Sequence, residues 1–274
     1  MKDLTVLVPI HKLMNSDEES RLIYAIESVR GNMEAYKDAT VKILIIVPSE
    51  DMQQRIQKLL DGCPVINSIE IAINDTGKSD YASQINYGVS KVETEHFSIL
   101  EFDDFYMPNW FANARAYSIN DEAATAYLPL EYIKLDGGKD DEWEFGNEMV
   151  WAKSFSNELG VIDFDCLQNC TVFNLTGGIF NTKDFIAIGG LKPSIKLAFN
   201  YEFLLRLTSK DLKAYVVPKL GYSHTVGRTG SLTDEYKDMD KEEAQRWFDL
   251  AKREYNYKED RYKTIKVAKK EKIK

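Results

Sequence analysis

Short apolar segments alternate with amphipathic segments through the N-terminal third of the chain. Apolar runs bounded by breaking residues are typical of buried strands, and they predict strands over residues 4–8, 41–47, 69–73 and 97–100. Apolar residues at helical spacing predict helices over residues 20–30, 51–60 and 81–90, the first of them ending at Gly31-Asn32. Strands that alternate with helices favour an α/β fold on a Rossmann-like, doubly wound, mostly parallel sheet.

A cluster of carboxylates follows the fourth predicted strand: Glu101, Asp103 and Asp104, with Pro108 ending the segment. In open α/β sheets, ligands bind outside the carboxyl ends of the strands, where this cluster is expected to lie. Like charges this close destabilise one another unless a cation neutralises them, and carboxylate oxygens suit hard ions such as Mg²⁺ and Mn²⁺. Taken alone, the cluster is more typical of a solvated acidic loop. The motifs before and after it favour a metal site.

The second half of the chain has a less regular pattern, and no linker divides it from the first. A helix is predicted over residues 201–207, a strand over residues 214–217 and a terminal helix over residues 241–255. We therefore predict a single domain over residues 1–235, with a regular first half (1–110) and a less regular second half (111–235). Residues 236–274 are predicted to form a C-terminal helix and a basic tail.

The charge is distributed unevenly along the chain. Residues 263–274 carry six lysines and one glutamate, a net of +5, which leaves −14 for the rest of the −9 total. An acidic body repels the phosphate backbone of nucleic acids, although the tail is able to contact phosphate. No apolar run is long enough for a transmembrane helix, and the segment before the first strand is too short for a signal peptide. The odd number of cysteines, three, argues against a disulfide framework, so we expect a cytoplasmic protein.

Several short motifs in the chain, in their order and spacing, resemble one known family. They are Val6-Leu7-Val8-Pro9-Ile10-His11, Asn74-Asp75-Thr76-Gly77, Asn86-Tyr87-Gly88, Leu100-Glu101-Phe102-Asp103-Asp104, Gly177-Gly178, Gly189-Gly190-Leu191, residues 201–206, and His224 followed by Arg228. The series resembles family 2 nucleotide-sugar glycosyltransferases of the GT-A fold over about residues 4 to 232. It is also similar to glycosyltransferase-like proteins of large tailed phages.

The resemblance implies that residues 1–110 form a nucleotide-binding half and residues 111–235 an acceptor half, and it implies roles for individual residues. It implies Mn²⁺ or Mg²⁺ held by Asp103, with Glu101, Asp104 and His224 as further ligands. It implies that the donor, a sugar nucleotide of the UDP or GDP type, is bound by Pro9, His11, Asn74, Gly77, Asn86 and Arg228. Inversion at the sugar carbon is the family expectation. His224 as an ordinary structural histidine, Arg228 as a solvated arginine and His11 as a strand end remain open alternatives.

Two positions depart from the family pattern. The acidic residue that usually follows the second strand and holds the base is replaced by Val47-Pro48-Ser49, so the identity of the base is open. The carboxylate that usually takes the acceptor's proton falls at Phe199-Asn200, and neither residue is able to act as a base. The candidate replacements are Glu202, Asp163 and Asp165, the last two expected on one face of an extended segment. A structural role for each is the alternative.

The sequence leaves three functions open. The first is a metal-dependent glycosyltransferase that uses a glycan or protein acceptor, which the aromatic residues Trp143, Phe145, Trp151 and Phe155 would help to bind. The second is a GT-A-like binding or structural protein without turnover, which Asn200 favours. The third is transfer of a sugar to modified DNA bases, which the acidic body disfavours.

Overall fold

The computed structural model describes residues 1, 3–36, 39–61, 69–120, 124–139, 143–156, 158–231, 234, 236 and 238–252. The strands are β1 Leu4–Pro9, β2 Val41–Val47, β3 Ile69–Ile73, β4 His96–Ile99, β5 Phe105–Tyr106, β6 Ala124–Leu135, β7 Trp143–Gly146, β8 Val161–Ile162, β9 Ile179–Asn181 and β10 Lys213–Val226. The helices are α1 Ser16–Ala35, α2 Glu50–Leu60, α3 Tyr81–Lys91, α4 Trp110–Asn120, α5 Phe164–Asn169, α6 Thr182–Ala187, α7 Phe199–Thr208 and α8 over residues 241–252. A 3₁₀ turn covers Glu148–Trp151.

The strands form one sheet in the order β3-β2-β1-β4-β9-β6-β10-β5, with β7 added to β6 and β8 added to β10. The first four positions of this order are parallel, and the long β6–β10 ladder is parallel as well. The short strands β5, β7, β8 and β9 pair antiparallel with their neighbours. The predicted doubly wound fold with a more irregular second half is therefore confirmed.

The helices cover both faces of the sheet, and each face has its own apolar core. On one face, α3, α5 and α7 pack against alternate residues of the central strands, among them Leu7 and Phe97. On the other face, α1, α2 and α4 pack against the intervening residues, such as Val6 and Val8. Because side chains alternate along a strand, two buried faces explain why the strands read as continuous apolar runs.

Helix α1 is longer than predicted at both ends. It begins after Asn15, whose side chain accepts a hydrogen bond from the Glu18 amide at 3.0 Å. It continues through the predicted stop at Gly31-Asn32 to Ala35. Asn32 is buried and remains satisfied inside the helix, because its side chain donates to the carbonyls of Ser28 and Met107 at 3.0 and 3.1 Å. The predicted stop was therefore wrong, since a tertiary contact replaces the local turn that Gly-Asn usually forms.

The C-terminal helix α8 packs on the domain instead of extending away from it. Ala251 is buried, and the ring of Phe248 lies 5.8 Å from that of Tyr201 on α7. The basic tail over residues 263–274 lies outside the described residues, and the predicted division of the domain near residue 110 stays a prediction. Within the described part of the chain, no helix is both long and apolar enough to cross a membrane.

Candidate functional site

A cavity opens at the carboxyl ends of β1 and β4. Its lining includes Pro9, His11, Tyr81, Glu101, Asp103 and Arg228. The strands β1 and β4 are parallel neighbours, so the residues that follow them meet at one edge of the sheet. This is the edge at which doubly wound sheets bind ligands. The structure thus brings two of the predicted metal ligands and three of the predicted donor-binding residues into one cavity.

Arg228 lies between two carboxylates at the wall of this cavity. Its Nε donates to Asp103 Oδ2 at 2.5 Å, and its Nη1 donates to Glu18 Oε1 at 2.8 Å. The guanidinium also lies over the ring of Phe102, with Cζ 4.9 Å from the ring centroid. Arg228 and Glu18 are both buried, so each needs the other's charge. Glu18 comes from the first turn of α1, and no motif in the sequence indicates that it belongs to the site.

Asp104 fastens the acidic loop to β10 instead of lining the cavity. Its side chain is buried, with Oδ2 2.9 Å from His224 Nδ1, and Oδ1 accepts the Thr225 amide at 2.7 Å. Burial opposes the charged form of His224, but Asp104, Glu131 and Glu101 together raise the pKa of His224 to about 10. The imidazole is therefore a cation in this arrangement. To become a metal ligand, His224 must release that proton.

Glu101 lines the cavity and is paired with a tyrosine. Burial and the nearby Asp104 raise the pKa of Glu101 to about 8, although a hydrogen bond from Tyr81 favours its charged form. Burial and Asp104 also raise the pKa of Asp103, against the pull of Arg228. The cavity wall therefore concentrates carboxylates that a cation would stabilise in their charged form.

The donor set fits a divalent ion that arrives together with phosphate. Asp103 and Glu101 supply carboxylate oxygens to the cavity, which is the donor type that Mg²⁺ and Mn²⁺ prefer. Among the residues that the structure describes, no three His, Cys, Asp or Glu side chains converge as a closed metal cage. Magnesium is commonly held by one or two carboxylates plus substrate phosphates, so a closed cage is not required.

Glu131 is a buried carboxylate close to His224 and Asp104 that no sequence motif singled out. It lies on β6 opposite Tyr222 of β10, and its Oε2 accepts from Asn174 Nδ2 at 2.8 Å. The Asn200 side chain in turn donates to Asn174 Oδ1 at 3.4 Å. Burial raises the pKa of Glu131 to about 7, against the opposing effect of His224. Asn200, at the position where the sequence resemblance implies a base, is thus connected through Asn174 to a carboxyl group.

We expect the free energy of unfolding to decrease as the pH rises and Glu131 loses its proton. Glu131 keeps the proton up to about pH 7 when folded, against an ordinary value of 4.5. Between pH 4.5 and about pH 7, Glu131 binds more protons in the folded chain than in the unfolded chain. The resulting stabilisation is therefore full below pH 4.5 and is lost as the pH rises through about 7. The loss is on the order of 3 kcal/mol.

Urea unfolding at a series of pH values measures this effect. The difference in unfolding free energy between the wild type and Glu131→Gln should shift between about pH 5 and about pH 8 in favour of the variant. The control is Glu144→Gln, which changes an exposed glutamate on the neighbouring strand β7. Parallel pH curves for the wild type and Glu131→Gln would contradict the prediction.

The predicted donor residues Asn74, Gly77 and Asn86 lie outside the cavity lining. Asn74 is buried and donates to the Lys78 carbonyl at 2.8 Å and to Gln84 Oε1 at 3.0 Å. Gly77 adopts φ 72°, the left-handed region that a glycine reaches without strain, within the same loop. These contacts shape the loop that leads into α3. The loop includes Ser79 and Asp80, which do line the cavity.

Asn86 holds a second loop in place. Its side chain donates to the Leu191 carbonyl at 2.7 Å and accepts from the Leu191 amide at 2.8 Å. Gly190 has φ 62°, and a Cβ there would lie 2.3 Å from Asn86 Oδ1. A side chain at position 190 would therefore displace the Asn86 side chain from its contacts with Leu191. The contacts of Asn86 are structural ones, between α3 and the segment that precedes α7.

The three candidate bases lie in structural positions away from the cavity lining. Asp163 caps α5 by accepting from the Cys166 amide at 2.6 Å, and Asp165 is exposed in the first turn of that helix. The expected extended segment was wrong, because the capping carboxylate starts a helix here. Glu202 is buried and paired with Arg206 at 2.8 Å and Lys192 at 3.1 Å.

The fold is shared with glycosyltransferases of known structure. A TarS 1–349 structure from S. aureus in complex with UDP-GlcNAc matches with a TM-score of 0.57 and 13% identity, over 85% of this chain and 61% of the TarS 1–349 chain. Its complex with UDP matches at 0.57 and 14% identity, over 92% and 65%. The mannosyltransferase PcManGT from Pyrobaculum calidifontis, in complex with GDP-Man and Mn²⁺, matches at 0.61 and 13%, over 83% and 58%.

At these identities the likeness shows the fold, which is the predicted GT-A type. The matched region covers 58% to 65% of these three solved chains and 37% of a longer TarS structure. No protein-family model matches the chain, and no curated protein matches it in sequence.

Proposed function

We propose that this protein is a metal-dependent glycosyltransferase that moves a sugar from a nucleoside-diphosphate donor to an acceptor hydroxyl. The observation that carries the proposal is the cavity at the ends of β1 and β4, which is lined by Glu101, by Asp103 and by the Arg228 to which Asp103 is bound. The shared fold supports it, because the similar structures are complexes with UDP-GlcNAc, UDP, and GDP-Man with Mn²⁺.

The residues of the cavity divide the binding of such a donor between them. Asp103, with Glu101, would hold Mn²⁺ or Mg²⁺, which when bound stabilises the negative charge that develops on the departing diphosphate. Arg228 offers planar donors suited to phosphate oxygens. Pro9 and His11, at the end of β1, line the part of the cavity that would receive the base. Asp104 and His224 keep β10 next to this acidic loop through their ion pair.

A glycan acceptor would be able to bind to the exposed aromatic side chains of the β6–β7 hairpin. Trp143 and Phe145 are 44% and 40% exposed on β7, and the ring of Trp143 lies 5.2 Å from that of Tyr132 on β6. Exposed aromatic patches mark interaction sites, and Tyr132 follows the strand alternation of Leu128, which packs on the α7 side of the sheet. The patch therefore lies on the same face of β6 as Leu128, and its exposed rings are able to stack on the apolar face of a sugar. A glycan acceptor is accordingly favoured over a polyanionic one such as DNA.

A nucleotide-binding protein without turnover is the second candidate function. The position of Asn200 favours it, and so do the structural contacts of Asp163 and Glu202. The two functions predict the same binding of donor but different chemistry. Steady release of UDP or GDP from a sugar nucleotide establishes turnover, whereas tight binding without release identifies a binding protein.

Isothermal titration with UDP and with GDP tests the shared premise. We expect one of the two to bind with a dissociation constant of micromolar order in the presence of Mn²⁺, and at least about tenfold more weakly in EDTA. Adenosine diphosphate serves as the control ligand for non-specific binding of diphosphate. Failure of both UDP and GDP to bind in the presence of Mn²⁺ would refute the proposed function.

A further inference from the structure

Glu18 is a buried acidic residue that contacts Arg228 at the cavity although it is far from Arg228 in sequence. It lies in the first turn of α1 and is 5% exposed. Its backbone amide donates to the Asn15 side chain at 3.0 Å, and its carboxylate accepts from the amide of Met14. One carboxylate oxygen is therefore used to cap the helix. The other, Oε1, lies 2.8 Å from Arg228 Nη1.

Two of the three guanidinium nitrogens of Arg228 bind carboxylates. Nε is bound to Asp103, and Nη1 is bound to Glu18 and, at 3.4 Å, to the Thr229 carbonyl. Nη2 makes no hydrogen bond to any residue in the part of the chain that the structure describes. Because Arg228 lines the cavity, this Nη2 edge is the donor available to an anion bound there.

Asp103 and Glu18, the two carboxylates that bind Arg228, differ in their other contacts. Asp103 belongs to the carboxylates that face the cavity and is the residue that we propose as a cation ligand. Glu18 also neighbours Arg228 but serves the helix cap with its second oxygen. A cation that takes the Asp103 oxygens weakens the Asp103–Arg228 pair, since both compete for the same carboxylate. Glu18 then remains as the anionic partner that keeps a buried guanidinium compensated.

We infer that Glu18 is a positioning residue that holds Arg228 against the cavity while Asp103 binds the cation of an incoming donor. The inference rests on the proposed function. Without the Glu18 charge, Asp103 is the one carboxylate partner of Arg228 that remains among the described residues, and this pair competes fully with the metal ion. Nucleotide binding then requires more Mn²⁺, and Arg228 is held less firmly for phosphate.

Glu18→Gln tests the inference, with Glu19→Gln as its matched control. Glu19 follows directly in α1 and also pairs with an arginine, Arg55, at 2.7 Å. Titration of UDP or GDP, whichever the wild type binds, is run at a series of Mn²⁺ concentrations, and free Mn²⁺ is followed by electron paramagnetic resonance. For Glu18→Gln we expect about tenfold weaker nucleotide binding and a several-fold higher Mn²⁺ requirement. Glu19→Gln should match the wild type.

A cycle with Arg228→Gln separates positioning from a general loss of folding. If Glu18 acts through Arg228, adding Glu18→Gln to Arg228→Gln has no further effect on nucleotide binding. Additive losses, or a Glu18→Gln curve that coincides with that of Glu19→Gln, would overturn the inference and leave the proposed function standing. Absence of nucleotide binding in the wild type would overturn both. Partial recovery in Glu18→Asp, which keeps the charge, would support positioning.

Discussion

Asp103→Asn is expected to abolish Mn²⁺-dependent nucleotide binding and, with it, transfer. The substitution keeps the shape of the side chain and removes the charge that we propose holds the metal ion. We expect affinity for the nucleoside diphosphate in Mn²⁺ to fall at least about tenfold, to the level measured in EDTA, since a metal ion held there would stabilise the charge of the diphosphate. Isothermal titration in both conditions measures it.

The matched control for this variant is Asp136→Asn. Asp136 also pairs with an arginine, since its Oδ1 lies 2.9 Å from Arg21 Nη2, but its side chain is partly exposed and outside the cavity lining. It should leave nucleotide binding unchanged. Thermal unfolding of each variant excludes a loss of fold. An Asp103→Asn protein that still binds nucleotide more tightly with Mn²⁺ would refute the role of Asp103.

The sheet could be predicted because its determinants are local in sequence. The strands β2 and β3 begin and end where their apolar runs do, at Val41–Val47 and Ile69–Ile73. The end of α1 could not be predicted in this way, because the Asn32 side chain is satisfied inside the helix by the carbonyl of Met107, which is far away in sequence. A local pattern does not show which polar side chains will find a distant partner.

The same reason divides the site into predictable and unpredictable parts. Glu101 and Asp103 follow a buried strand directly, so their place at the edge of the sheet follows from the order of elements. Glu18 and Glu131 reach the site from a helix start and from the middle of a long strand. Glutamate is ordinary in the first turn of a helix, so nothing marks Glu18 as a site residue. A glutamate within the apolar run of β6 is less ordinary and is a signal for Glu131.

Spacing also fails to separate residues that bind a ligand from residues that hold a loop. Asn74 and Asn86 both stand in motifs that resemble donor-binding ones, yet their side chains are satisfied by Lys78, Gln84 and Leu191. A buried asparagine offers donors and an acceptor that a loop backbone uses as readily as a ligand does. Roles for such residues therefore have to be read from their contacts.

Glu202→Ala is expected to destabilise the fold strongly, by about 3–5 kcal/mol. Glu202 is fully buried, and both its oxygens accept from Arg206, at 2.9 and 2.8 Å. Its removal takes away the carboxylate that accepts two hydrogen bonds from the buried guanidinium of Arg206, and Lys192 adds a second cation 3.1 Å from Glu202. Since domains are stable by only about 5–15 kcal/mol, urea unfolding should show a much lower midpoint.

The Glu202→Ala/Arg206→Met double variant tests whether that loss comes from an unpaired charge. Arg206 also donates to the carbonyls of Ile188 and Gly190, so its removal has a cost of its own. The double variant should nevertheless be more stable than the sum of the two single losses predicts, by about 2 kcal/mol or more. Additive losses would contradict the ion pair as the cause. If Glu202 were instead the catalytic base, Glu202→Gln would lose turnover while keeping its unfolding midpoint. The buried contacts predict the reverse order, with stability lost first.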